Sequence, residues 1–314
     1  MKYGFGVDVG GTTVKLGLFD ENATLLEKWE IPTHTENGGA RILPEIAAAL
    51  DACLARHAIA REAVLGVGIG VPGPVDDHGN VNRCVNLNWG VFNLHEALGG
   101  LTGFPVKAGN DANVAALGEH YASGGCSSSL LMTIGTGVGG GIVLDGKVLN
   151  GAHGVAGEIG HITVEPEETT PCTCGRCGCV EQYASARGIA LRASRALARD
   201  DRPSLLRNYD ALTAKDVFDC GAEGDEIALA ILEKTYDYLG AALANACCVC
   251  DPQIVILGGG VSKAGDVLLE GVKRRFEAKM FHACKGTRFA LAKLGNDAGI
   301  YGSFRLLLSL PREA

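Results

Sequence analysis

The sequence has no surplus of basic residues: 28 Lys and Arg stand against 36 Asp and Glu, a formal net charge of -8. A protein that grips DNA or RNA regardless of sequence must neutralise phosphates with Lys and Arg, so no nucleic-acid polymer is expected as a partner. Any nucleotide bound here should be small. Also missing is a run of about 20 apolar residues, the length a membrane-crossing helix needs. The opening MKYGFGVDVGG has neither the apolar core nor the small-residue cleavage site of a secretory signal. No membrane partner and a cytosolic location follow as expectations. There is no GxxxxGK[ST] Walker A loop, no low-complexity segment and no linker; residues 200–204 read only as a charged loop.

What is present suits a folded two-domain protein. A chain of 314 residues with 47% hydrophobic and 20% charged content can bury a core in each of two domains. Its 45 glycines have no three-residue period, which excludes collagen and implies many tight turns. Twelve cysteines in a long, unsignalled chain point to metal ligation or burial rather than a disulfide framework. Four of them, Cys172, Cys174, Cys177 and Cys179, fall within eight residues, whereas Cys247, Cys248 and Cys250 sit in an apolar stretch and read as core packing.

Along the chain, residues 3–9 and 13–19 predict two strands joined at Gly10-Gly11-Thr12, and residues 25–32 a third. Apolar positions Ile42, Leu43, Ile46, Ala49, Leu50 and Cys53 keep a helical period, and residues 64–71 read as a buried strand stopped by Pro72-Gly73-Pro74. The same grammar restarts at Leu130, with strand LLMTI, turn GTGVGGG, strand IVLDG, later QIVILGG and a helix from about Ser262; this looks like an internal duplication. Between the copies, residues 104–109 predict a short strand and 111–121 a helix. The expected domains are 1–110 with 298–314, the final helix returning, and 111–297.

DVGGTTVK (8–15) and IGTGVGGG (134–141) place small residues where a strand reverses, so bare backbone N–H groups could surround phosphate oxygens. Neither opens a helix, so neither is a dinucleotide fingerprint. LGGGVS (257–262) follows a strand and precedes a helix, which suits a base or a phosphate. Asp8 would hold Mg²⁺, or cap its own turn. Lys15 would offset phosphate charge, or lie exposed on the second strand.

Transfer of a phosphoryl group to an alcohol needs a carboxylate to take the hydroxyl proton. Asp111 follows a strand and opens a helix, which puts it at the edge where α/β sheets bind ligands. It would equally serve as the N-cap of that helix, worth about 1 kcal/mol. Asn110, Glu158, His161 and Glu181 supply further groups suited to a polyhydroxylated ligand. His161 with three of the four clustered cysteines would close a tetrahedral structural zinc site, its second ring nitrogen facing the sugar; four cysteines without His161 are the alternative.

Together these motifs resemble the ROK family of sugar kinases and related repressors, and most closely its cysteine-bearing glucokinases. DVGGT (8–12), IGTGVGGG, LGGG (257–260), GEIGH (157–161) and CTCGRCGCVE (172–181) carry the likeness. The resemblance implies a duplicated, ribonuclease H-like, two-domain actin-like ATPase fold with a central cleft. ATP and Mg²⁺ would use Asp8, Gly10, Gly11, Thr12, Lys15, Gly135, Thr136, Gly137, Gly139, Gly258, Gly259 and Gly260. It implies Asp111 as base for the 6-hydroxyl of a hexose, most closely glucose, with Asn86, Asn110, Glu158, His161 and Glu181 on the sugar. Zinc would fall to His161, Cys172, Cys174 and Cys179, with Cys177 outside the set, and the protein would be a homodimer. A repressor would need a helix-turn-helix before the first turn, which begins eight residues in. The alternatives kept open are a kinase for fructose, mannose, allose or N-acetylmannosamine, and a non-catalytic sugar sensor.

Overall fold

The computed structural model describes residues 1–310. Its first sheet is formed by β1 (Tyr3–Val9), β2 (Thr13–Asp20) and β3 (Leu25–Pro32), then β4 (Val64–Val71) and β5 (Val106–Asn110) after helices α1 (Ile42–Arg56) and α2 (Leu94–Thr102). The order is β3-β2-β1-β4-β5, antiparallel among the first three and parallel from β1 onward. β5 begins two residues later than expected, at Val106, because Pro105 has no N–H to give to a ladder.

After α3 (Asp111–Ala122), the second sheet repeats the plan with β6 (Ser128–Ile134), β7 (Val138–Leu144) and β8 (Lys147–Val148). Helices α4 (Ala186–Leu197), α5 (Ala214–Ala222) and α6 (Glu226–Cys250) lead to β9 (Ile254–Gly258), and α7 (Asp266–Glu277) to β10 (Arg288–Leu291). The order β8-β7-β6-β9-β10 reproduces the first sheet strand for strand. α8 (Ala298–Leu307) is the last helix among the described residues. Among the described residues no helix is long and apolar enough to cross a membrane.

By packing, one unit comprises Met1–Gly125, Gly141–Gly157 and the chain from Leu294 onward; the other comprises Cys126–Gly140 and Glu158–Lys293. The expected boundary at residue 110 is thus displaced to Gly125. The reason is α3, which crosses α8 at glycines: a Cβ on Gly302 would lie 1.7 Å from Val114 O, and one on Gly118 2.5 Å from Ala298 O.

In the first unit the sheet has two unlike faces. Phe5, Val7, Leu16, Val67 and Ile69 pack with Ile42, Ile46, Leu50 and Cys53 of α1. On the other face Gly6 and Gly68 replace side chains with backbone, so α8 lies directly on the sheet; a Cβ at either would strike Ile300 O or Ser303 O. Phe19 stacks on Phe304 there, ring centroids 4.7 Å apart. Many of the glycines therefore serve close packing rather than turns. In the second unit Cys247 is buried in α6, but Cys248 is exposed, so that group is not uniformly core.

Candidate active site

In the first unit the polar chemistry gathers at the carboxyl ends of β1, β4 and β5, the edge where α/β sheets receive ligands. Asp8 is in register with Gly70, and Asn110 with Val71. Asp8 and the Asn110-Asp111 pair therefore stand at one end of the sheet, two strand spacings or about 10 Å apart. Asp8 lies on the α8 face, where Gly299 leaves room for its carboxylate; a Cβ there would come 2.4 Å from Asp8 Oδ2. Burial pushes Asp8 up to about 6, with Lys15 opposing and the charge of Asp111 adding to the rise. Lys15 is the direct cross-strand partner of Asp8 and donates from Nζ to Asn296 O at 2.9 Å. It is half-buried and tethered, not simply exposed on β2.

The first glycine turn is closed by Gly10 N donating to Thr13 O, and the residue after β3 braces it: Thr33 Oγ1 donates to Gly10 O at 2.8 Å and Thr33 N to Thr12 O at 3.0 Å. Gly11 and Thr12 are exposed, and nothing lies within 4 Å of a Cβ built on Gly11. Thr33 was not among the expected residues; its distance along the chain from the turn leaves no local signal.

The cap of α3 is Asn110, not Asp111. Asn110 has extended backbone, and its Oδ1 accepts from Ala112 N and Asn113 N at 3.0 and 3.2 Å, while Nδ2 donates to Gly73 O at 3.1 Å. Asp111 is the first helical residue, with Oδ1 accepting from Ala112 N at 2.8 Å. Asn86 is exposed on the 3₁₀ turn Val85–Leu87. Asn88 takes a left-handed conformation, φ 59°, and donates to Thr35 O at 3.1 Å, which separates its role from that of Asn86. Asp111 is close enough to this turn for its charge to add to burial in raising the Cys84 thiol.

In the second unit the β6–β7 turn is closed by Gly135 N donating to Gly137 O at 2.9 Å, with Thr136 exposed at its tip and Gly139 within β7. Glu181 occupies the inside of this turn: its Oε2 accepts from Val138 N at 2.9 Å, and a Cβ on Gly137 would lie 2.3 Å from that oxygen. Gly258, Gly259 and Gly260 abut the same end of β6. Gly258 pairs with Thr133, and Gly259, at φ +83°, approaches Ile134 so closely that a Cβ would lie 2.5 Å from its carbonyl oxygen. This cluster does not open an α-helix as expected. Residues Gly260–Ala264 form a 3₁₀ turn, and Gly265 at φ +70° precedes the α7 start at Asp266.

His161, Cys172, Cys174 and Cys179 bring their ligand atoms within 4.8 Å of one another. His161 Nδ1 is 3.8 Å from Cys172 Sγ, and Cys174 Sγ is 3.7 Å from Cys179 Sγ. His161 Nε2 faces Glu158 at 3.9 Å. Cys177 lies apart, its Sγ directed to Thr169 O at 3.6 Å. One imidazole and three thiols suit a tetrahedral site for a thiophilic ion with no open position. Glu181 links this group to the turn, since its Oε1 lies 3.8 Å from Cys172 Sγ and accepts from Thr173 Oγ1 at 3.3 Å. A cavity of about 520 Å³ beside it is lined by Thr136, Thr173, Glu181, Arg187 and Arg195. The two arginines escaped the sequence reading because they lie on a helix of mixed polarity, where a basic residue reads as a solvated face.

The repeated strand order, with a glycine turn after the first strand of each sheet, defines an actin-like ATPase fold of the sugar-kinase type. A ROK hexokinase from Thermus thermophilus is 33% identical, with a TM-score of 0.78 and 97% of both chains covered. A ROK glucokinase from Streptomyces griseus, solved in complex with glucose and AMPPNP, is 32% identical at a TM-score of 0.71, covering 96% of this chain and 97% of that one. A glucokinase of Halalkalibacterium halodurans is 46% identical over 304 residues, 95% of this chain and 92% of that protein. The chain belongs to the ROK family, whose model matches residues 4–309.

Proposed function

We propose that this protein is an ATP-dependent glucokinase that phosphorylates the 6-hydroxyl of glucose, with Asp111 as general base. The observation that carries the reading is the position of Asp111, directly after β5 and at the same sheet edge as Asp8 and the first glycine turn. The similarity to a glucokinase over 95% of the chain selects the sugar. The hydroxyl proton passes to Asp111 as the sugar oxygen bonds to the γ-phosphorus, and ADP leaves with the electron pair of the broken bond. Asn86, Asn110, Glu158, His161 and Glu181 would orient the sugar. Asn110 would contribute what its amide has left after capping α3.

The glycine turns at 10–12 and 135–137, with the 258–260 cluster, would receive ATP through backbone N–H groups. A magnesium ion carried by ATP would find a carboxylate in Asp8 and would supply charge neutralisation. Zinc fits the donors of His161, Cys172, Cys174 and Cys179 and would act structurally, holding His161 and Glu181 in orientation. A reducing cytosol would keep those thiols available, and sedimentation would reveal the expected homodimer.

The test is ADP release from ATP and Mg²⁺ with glucose, mannose, fructose, allose and N-acetylmannosamine in turn, with Asp111→Asn as the blank. Glucose is expected to give the highest kcat/KM, and Asp111→Asn to retain glucose binding while losing several powers of ten in kcat. Near-normal turnover by the variant would remove Asp111 from the mechanism.

A further inference from the structure

Another set of side chains able to ligate a metal, none of them part of the site described above, meets where the edge strand β3 faces the last turns of α1. Cys53 lies in α1 and His57 is its C-cap; four residues apart, they project on the same side of the helix. Glu27 comes across from β3. One carboxylate oxygen is the meeting point: Glu27 Oε2 is 2.5 Å from His57 Nε2 and 3.8 Å from Cys53 Sγ, and the three ligand atoms all lie within 4.8 Å of one another. The other oxygen, Oε1, accepts from Arg56 Nη2 at 2.7 Å, and that guanidinium also lies over the Trp29 ring. The carboxylate is therefore held from behind, as the outer partners of a metal ligand hold it.

We propose that Glu27, Cys53 and His57 form a second site for a thiophilic divalent ion, zinc being the best match, with the fourth position left to water. Zinc bonds of about 2.0–2.3 Å set tetrahedral ligand atoms roughly 3.3–3.8 Å apart. The Cys53–Glu27 spacing already meets this, and His57 needs to withdraw by about 1 Å. Glu27 and His57 are partly exposed, which gives an ion a route in, while Cys53 is the buried floor. Binding sends the thiol proton to solvent. This site offers three protein ligands against the four of the His161 group, so it is the weaker of the two. Occupation would add metal–ligand bonds to the hydrogen bonds, ion pairs and Arg56–Trp29 contact that already join the outermost strand of the first sheet to α1.

The experiment is equilibrium dialysis of the full-length protein against zinc under reducing conditions, with zinc per chain measured for the parent and for His57→Gln. The variant is expected to hold one ion fewer, and Cys53→Ser to repeat the loss. The comparison is a difference, so it stands whatever the His161 group binds. Cys53 is a core residue whose serine variant is at risk of misfolding, so the partly exposed His57 carries the decision. Equal zinc content in the parent and in His57→Gln would overturn the proposal.

Discussion

At Asp8, burial works against the charge that a magnesium ligand would need. The folded-state value of about 6 stands above the ordinary 3.8, so the native protein takes up a proton more readily than the unfolded chain does. Stability drawn from Asp8 is then fully present below about pH 4 and is lost as pH rises through about 6. Two pKa steps correspond to at most about 3 kcal/mol. Asp8→Asn is accordingly expected to melt at a higher temperature than the parent at pH 8, with the gap closing toward pH 4, as thermal melts across that range would record. Most residues around Asp8 were legible because strand ends and glycine turns have local signatures. That Asn110 rather than Asp111 caps α3 was not, since either residue type can cap a helix and only backbone geometry distinguishes them. Nor was the bond from Glu181 to Val138, which joins segments 43 residues apart.

Among the elements, the α3–α8 crossing sets helix propensity against packing. Alanine in place of Gly302 would favour helix formation by about 1 kcal/mol, yet its Cβ would lie 1.7 Å from Val114 O. A backbone atom cannot step aside as a side-chain tip can, so packing wins. Gly302→Ala is expected to lose about 3 kcal/mol in a urea titration, and an unchanged midpoint would show that the helices can separate freely. The cysteine loop couples differently, through Glu181 to the β6–β7 turn. Cys174→Ser, at an exposed member of the proposed zinc set, is expected to lower zinc content by one ion and raise the KM for glucose about tenfold or more, both measurable on one preparation. The first three strands could be read from alternation, because Phe5, Val7 and Val9 face one core. α6 could not be picked out, for its apolar residues crowd almost every side, and only its helical phase separates buried Cys247 from exposed Cys248. The start of α7 was misplaced because glycines can end a strand in several ways, and a 3₁₀ turn followed by Gly265 at positive φ is one of them.

For the whole molecule, duplication was the most readable property, since the two sheets repeat a strand order that the two glycine turns already announced. Less readable was the partner of each glycine-faced strand, which lies far along the chain. β1 and β4 are covered by α8, through Gly6, Gly68 and the Phe19–Phe304 stack. A chain ending before Leu294 is expected to leave that face bare, and limited proteolysis should cut within residues 1–125 while residues 158–293 resist. The same arrangement imposes an order on synthesis. About 225 residues must be translated between the end of β4 and the start of α8, roughly 10–45 s at 5–20 residues per second. Throughout that interval the oldest sheet in the protein waits, half covered, for the last helix to leave the ribosome.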